Sequence, residues 1–217
     1  MLVSHRYKFI FVKTYKTAGT STEAFFQRFC LSPLDQTKYH YKHGADESIT
    51  KYGIIGHRLN GNRGTGKWFN HKTVSAIKWD LGESLFNSYT KICNIRNPYD
   101  VVVSSYFYHH RDLDSGLLTP KKLEEWVKSK RGIRHLNLNK SLWFSPDFKY
   151  EYVRHENIEE DIKTICEKLG IETETINLPS FKVTPGRKHY REYYNEETKK
   201  IVTDLYSDEL KTFNYEF

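Results

Sequence analysis

Six mostly apolar residues, Tyr7-Lys-Phe-Ile-Phe-Val12, lead within a few positions into Lys16-Thr-Ala-Gly-Thr-Ser-Thr22, and a chain written this way has little local choice. The first run reads as a buried strand, and Glu23-Ala-Phe-Phe-Gln-Arg-Phe29 reads as the helix that follows. Between them lies a basic loop of small, hydroxyl-bearing residues, Lys16, Thr17, Ala18, Gly19, Thr20, Ser21 and Thr22. Such a loop holds phosphate, because the first N–H groups of a helix have no acceptor within it and the helix dipole favours an anion there. Gly19 lets the backbone approach closely, Thr20, Ser21 and Thr22 bring hydroxyls and N–H donors, and Ser21 or Thr22 also suits the helix cap. Lys16 adds a movable point charge.

A second segment repeats the plan. Ile92-Cys-Asn-Ile95 reads as another buried strand and runs straight into Arg96-Asn-Pro-Tyr-Asp-Val-Val-Val-Ser104-Ser-Tyr106, with Pro98 suited to a first helical turn. From Arg96 at the strand end to Ser104 two turns into the helix, one anionic group can be gripped from both. Strands are expected near Tyr7–Lys13, Gly53–His57, Lys91–Ile95 and Glu151–Arg154. Helices are expected near Ser21–Cys30, Lys72–Leu81, Tyr99–His109, Pro120–Ser129, Ile158–Leu169 and Glu196–Tyr206. Alternation of this kind predicts the α/β class, a three-layer parallel sheet flanked by helices with a P-loop-like strand-loop-helix, in one domain over residues 1–217. Both phosphate motifs then fall beyond the carboxyl ends of strands, where open α/β sheets place their ligands.

The Lys16–Thr22 loop resembles the 5′-phosphosulfate loop of sulfotransferases that use 3′-phosphoadenosine 5′-phosphosulfate (PAPS), and Arg96 through Tyr106 resembles their 3′-phosphate motif. His71–Gly82 with Phe86–Tyr89 is similar to the segment before that motif in the carbohydrate-type branch. Tyr152–Ile158, the Glu159–Leu169 helix and the tail from His189 to Phe217 resemble the late strand, helices and closing aromatic segment of the family. Departures fall at Tyr15, where the family loop usually has Pro, and at Val101, where an Arg often follows the motif's Asp. The resemblance implies PAPS as cosubstrate, with Lys16 at the bridging oxygen and the loop around the 5′-phosphate. It also implies Arg96 and Ser104 on the 3′-phosphate, and Arg187 and Lys188 as a basic loop closing over it. The implied acceptor is a sugar or polysaccharide hydroxyl. His71, 25 residues before Arg96, is the first choice of general base and His57 the second, with His109, His110 and Glu156 behind them.

Composition narrows the partners. Net charge is +7, from 34 basic and 27 acidic residues, which suits an anionic ligand. The cations are not gathered into an arm or a basic helix, so nucleic acid is not the favoured partner. Of the sixteen Tyr, thirteen Phe and four Trp most are expected in the core, and the fraction left to surface or cleft suits base stacking or sugar binding. No run of eighteen apolar residues occurs and the first strand comes early, so neither membrane anchor nor signal peptide is expected and a cytoplasmic location is. Cys30, Cys93 and Cys166 are odd in number and lie in apolar runs, which reads as buried thiols, with no metal set in the His and Cys spacing. Gly61-Asn-Arg-Gly-Thr-Gly66-Lys67-Trp68 imitates a Walker A loop but ends in Trp where a magnesium ligand belongs. Two other classes stay open on the residues alone, a nucleotide-dependent phosphotransferase and a non-catalytic nucleotide or nucleic-acid binder.

Overall fold

The computed structural model describes residues 1–37, 41, 46–57, 66–110, 118–145, 147–173, 176–179, 181 and 184–217, with Thr37 and Ser141 through their backbone alone. The Walker-like stretch lies largely outside the described residues. In chain order the elements are β1 Leu2–Ser4, β2 Phe9–Val12, α1 Gly19–Gln27, α2 Pro33–Thr37, β3 Ser48–Thr50, β4 Gly53–Ile55, α3 Val74–Leu81, α4 Glu83–Ser88 and β5 Thr90–Ile95. There follow α5 Pro98–His109, α6 Pro120–Lys128, α7 Lys130–Leu136, α8 Lys140–Trp143, β6 Tyr150–Arg154, α9 Ile158–Lys168, α10 Glu196–Leu205 and α11 Ser207–Phe213. Two compact units result, Met1–Ile95 with Lys140–Phe181, and Arg96–Asn139 with Lys182–Phe217.

The first unit carries the sheet, in the order β3-β4-β1-β2-β5-β6. The α/β class is as expected, but the sheet is mixed. Its parallel part is β2, β5 and β6, with Phe11 opposite Ile92 and Asn94 opposite Val153. β1, β3 and β4 add an antiparallel half. Connection length is the reason: four residues separate β1 from β2 and two separate β3 from β4, and parallel pairing needs a crossover of a dozen or more. Gly53 sits where β4 meets β1, and a Cβ there would stand 2.4 Å from the Val3 carbonyl oxygen, so only glycine fits.

One face of this sheet buries Phe9, Phe11, Ile92 and Val153 against Phe25 and Phe26 of α1 and Ile162 and Ile165 of α9. Alternate residues point to the other face. There the Lys91 ammonium lies over the Phe86 ring of α4 at 4.7 Å, and the Cys93 thiol donates to the Leu142 carbonyl of α8. Helices therefore cover both faces. All three cysteines are buried and unbridged, and burial pushes the Cys166 thiol up to about 11.

The second unit is helical. Thr119 caps α6, Ser129 caps α7 and Asn195 caps α10, each accepting a backbone N–H of the first turn. The buried Tyr206 hydroxyl donates to the Leu136 carbonyl at 2.6 Å. Tyr99 of α5 gathers Tyr190, Tyr194 and Phe217 around its ring, which fastens the closing aromatic segment to the start of α5.

Candidate active site

The loop after β2 turns sharply because Lys16 and Ala18 both have left-handed backbone, at φ 62° and 63°. Neither is glycine, so each position is strained, and strain of this kind gathers at ligand clamps. Ala18 is the residue before α1 and offers no side chain to cap it. The N–H groups of Gly19 and Thr20, which a helix leaves without an internal acceptor, thus start an uncapped helix beside Lys16. Ser21 and Thr22 do not cap it, contrary to the sequence reading, since the helix begins at Gly19 and both lie inside its first turn. Gly19 has a packing role as well: a Cβ would meet the Lys13 side chain at 3.1 Å and the Thr14 carbonyl at 3.3 Å.

Hydrogen bonds fix this loop from beneath. The Thr17 and Thr14 hydroxyls bond at 2.6 Å, and Thr14 donates onward to the Asn94 carbonyl near the end of β5. Asn94 in turn donates its side-chain amide to Thr22 at 2.9 Å. Thr17, Thr22 and Asn94 are wholly buried, so Thr17 and Thr22 brace the loop, and their hydroxyls are engaged there. Lys13 and Glu23 form a buried ion pair at 2.7 Å across the same turn.

His71 reaches this loop. Its ring stacks on Tyr15, with centroids 3.8 Å apart and planes 13° from parallel, and its Nδ1 lies 3.0 Å from the Lys13 carbonyl. A carbonyl only accepts, so Nδ1 carries the proton and Nε2 carries the lone pair. Burial, aided by the Lys13 ammonium, lowers the His71 pKa to about 3. The imidazole is therefore neutral at pH 7 and set to accept at Nε2. The sequence reading looked for a base with a pKa near neutrality, and this one is lower because it is desolvated next to a cation. Two results are expected. If His71 is the base, the acid limb of kcat/KM, which reports the free enzyme, lies well below pH 6.5, and a limb near 6.5 assigns the proton to another group. Since its folded pKa is depressed, His71 protonation favours the unfolded chain, so its share of stability is present above pH 6.5 and lost as pH falls toward 3.

His57 is placed differently. Its backbone pairs with Phe69, and its buried Nδ1 has no hydrogen-bond partner among the described residues. His110 donates Nδ1 to the Tyr106 carbonyl and closes α5, while Arg131 donates to His109. Glu156 is exposed in a short turn after β6.

In the second unit Arg96 directly follows β5, and its Nε and Nη2 donate to Asp100 at 2.7 and 2.5 Å. Arg187 donates to the other oxygen of the same carboxylate. Segments ninety-one positions apart thus bring two guanidinium groups onto one side chain, and the buried Arg187 Nε has no acceptor among the described residues. Ser104 lies half-buried on α5, four residues after Asp100 and so on the same side of the helix. Lys188 is exposed and lies 3.5 Å from Glu192, so it does not join the pair. Two cations and an orphaned donor fit a phosphate monoester.

The sequence reading missed Thr14, Tyr15, Asn94 and Asp100. Asp100 had a signal in its spacing, four residues after Arg96 on a helix. Among the described residues no group of three or more His, Cys, Asp or Glu could hold a metal ion, and no helix is long and apolar enough to cross a membrane.

The chain belongs to the sulfotransferase family, whose model matches residues 1–216. It is therefore a member of a family of enzymes that move sulfuryl groups. An uncharacterized protein of Archaeoglobus fulgidus is 33% identical over 104 residues, covering 45% of this chain and 82% of that protein. No solved structure gives a significant match.

Proposed function

We propose that the protein transfers a sulfuryl group from PAPS to an acceptor hydroxyl, on a carbohydrate, and that residues 1–217 act as one sulfotransferase domain in the cytoplasm. The observation that carries the choice of cofactor is the pair of guanidinium groups on Asp100, since a 3′-phosphate is what distinguishes PAPS from ATP. Bound PAPS supplies an activated sulfuryl group with adenosine 3′,5′-bisphosphate as leaving group. The N–H groups at the start of α1, with Thr20 and Ser21, hold the 5′-phosphate. Arg96, Arg187 and Ser104 hold the 3′-phosphate, with Lys188 at the edge of the same basic turn. The acceptor oxygen bonds to sulfur in line as the bond from sulfur to the bridging oxygen breaks, and the hydroxyl proton passes to His71 Nε2. Lys16 meets the charge that grows on the bridging oxygen.

Calorimetric titration with adenosine 3′,5′-bisphosphate, against 5′-AMP and against ATP with magnesium, tests this reading. Binding that is much tighter for the bisphosphate is expected. A preference for ATP with magnesium would move the protein to phosphoryl transfer.

A further inference from the structure

We infer that Asp100 is a positioning residue for nucleotide recognition: its carboxylate holds the guanidinium groups of Arg96 and Arg187 side by side, so that the two charges and the Nε donor of Arg187 are set for a 3′-phosphate. The inference rests on the reading that these arginines bind that phosphate.

Three observations carry it. Asp100 divides its oxygens, Oδ2 taking Nε and Nη2 of Arg96 and Oδ1 taking Nη2 of Arg187, so one side chain fixes both cations. Arg187 also donates to the Asp100 backbone carbonyl at 3.4 Å, which ties the Thr184–Lys188 turn to the first turn of α5. That turn is formed by the Thr184 carbonyl accepting the Arg187 N–H and by Gly186 at φ 68°, and the Lys188 N–H donates to the Tyr193 hydroxyl at its end. Finally, Arg187 Nε is buried and lacks an acceptor among the described residues, although Nη2 of the same group is engaged. A planar guanidinium with one edge used and another buried and empty is aimed, and an anion is what completes it. Ordering two long side chains before the ligand arrives removes that entropic cost from binding.

The test measures the ratio of affinities for adenosine 3′,5′-bisphosphate and 5′-AMP, which isolates the 3′-phosphate. Asp100→Asn removes the charge while keeping the shape. It is expected to lower the ratio about tenfold through the bisphosphate alone, with 5′-AMP binding unchanged. Asp100→Glu, which keeps the charge but moves it by one methylene, should fall between the two. An unchanged ratio in Asp100→Asn would overturn the inference. So would a higher one, which would make Asp100 a competitor of the phosphate, and so would equal loss of both nucleotides, which would make its role structural. If Asp100→Asn does not fold, Asp100→Glu decides, and a wild-type ratio there overturns the inference. Should the unmutated protein bind both nucleotides equally, the 3′-phosphate reading falls first and this inference with it, a result separate from every variant outcome.

Discussion

Lys16→Ala is expected to reduce turnover by roughly 10²-fold or more, with a much smaller change in cofactor affinity. The charge that Lys16 meets is small in the bound ground state and grows as the bond to sulfur breaks, so its loss falls mainly on kcat. The loop should survive the change. Lys16 has φ 62°, and two residues later Ala18 has φ 63°, so alanine already holds this backbone in this turn. A second variant separates chemistry from architecture. Lys16→Gly removes the left-handed strain and should stabilise the fold by about 1 kcal/mol while turning over as slowly as the alanine variant. Release of adenosine 3′,5′-bisphosphate from PAPS, followed with each variant beside its thermal unfolding, gives both quantities. Normal turnover in either variant would remove Lys16 from the chemistry.

The parallel core and the phosphate loop could be read from the chain because local pattern dictates them. Phe9–Val12 is wholly apolar, Thr90–Ile95 is buried along nearly all its length, and each is followed within a few residues by a helix. β1 and β3 were missed for the opposite reason. Each is three residues long, and they become strands only because β4 lies between them. α7 was hidden by Gly132, an unfavourable helical residue. A Cβ there would stand 2.0 Å from the Trp126 carbonyl, so the close turn between α6 and α7 requires it. At the site, the residue types were legible but their division of labour was not. Thr17 and Thr22 looked equivalent to Thr20 and Ser21 in the sequence, yet Asn94 and Thr14, on other segments, turn them into braces. Tyr15 looked like a departure from the family pattern and is the ring on which His71 rests. The depressed pKa of His71 depends on burial beside Lys13, a contact between residues fifty-eight positions apart that no local spacing announces.

Arg96→Ala should weaken binding of adenosine 3′,5′-bisphosphate by on the order of 10²-fold and leave 5′-AMP nearly unaffected. The magnitude follows from burial. Arg96 is 8% exposed, so its guanidinium acts where water screens little, and truncating one member of such a charge-assisted contact typically costs about 2–5 kcal/mol. The selectivity follows from position: Arg96 lies between β5 and α5, whereas the N–H groups assigned to the 5′-phosphate belong to α1. Folding should persist, because Arg187 still occupies Asp100 after the substitution and Asn97 still caps α5 through the Tyr99 N–H. Retained 5′-AMP binding is thus an internal control for a native loop. If both nucleotides lose affinity equally, Arg96 supports the fold and does not read the 3′-phosphate. If neither changes, the anion lies elsewhere and the cluster on Asp100 is an ordinary helix-start ion pair.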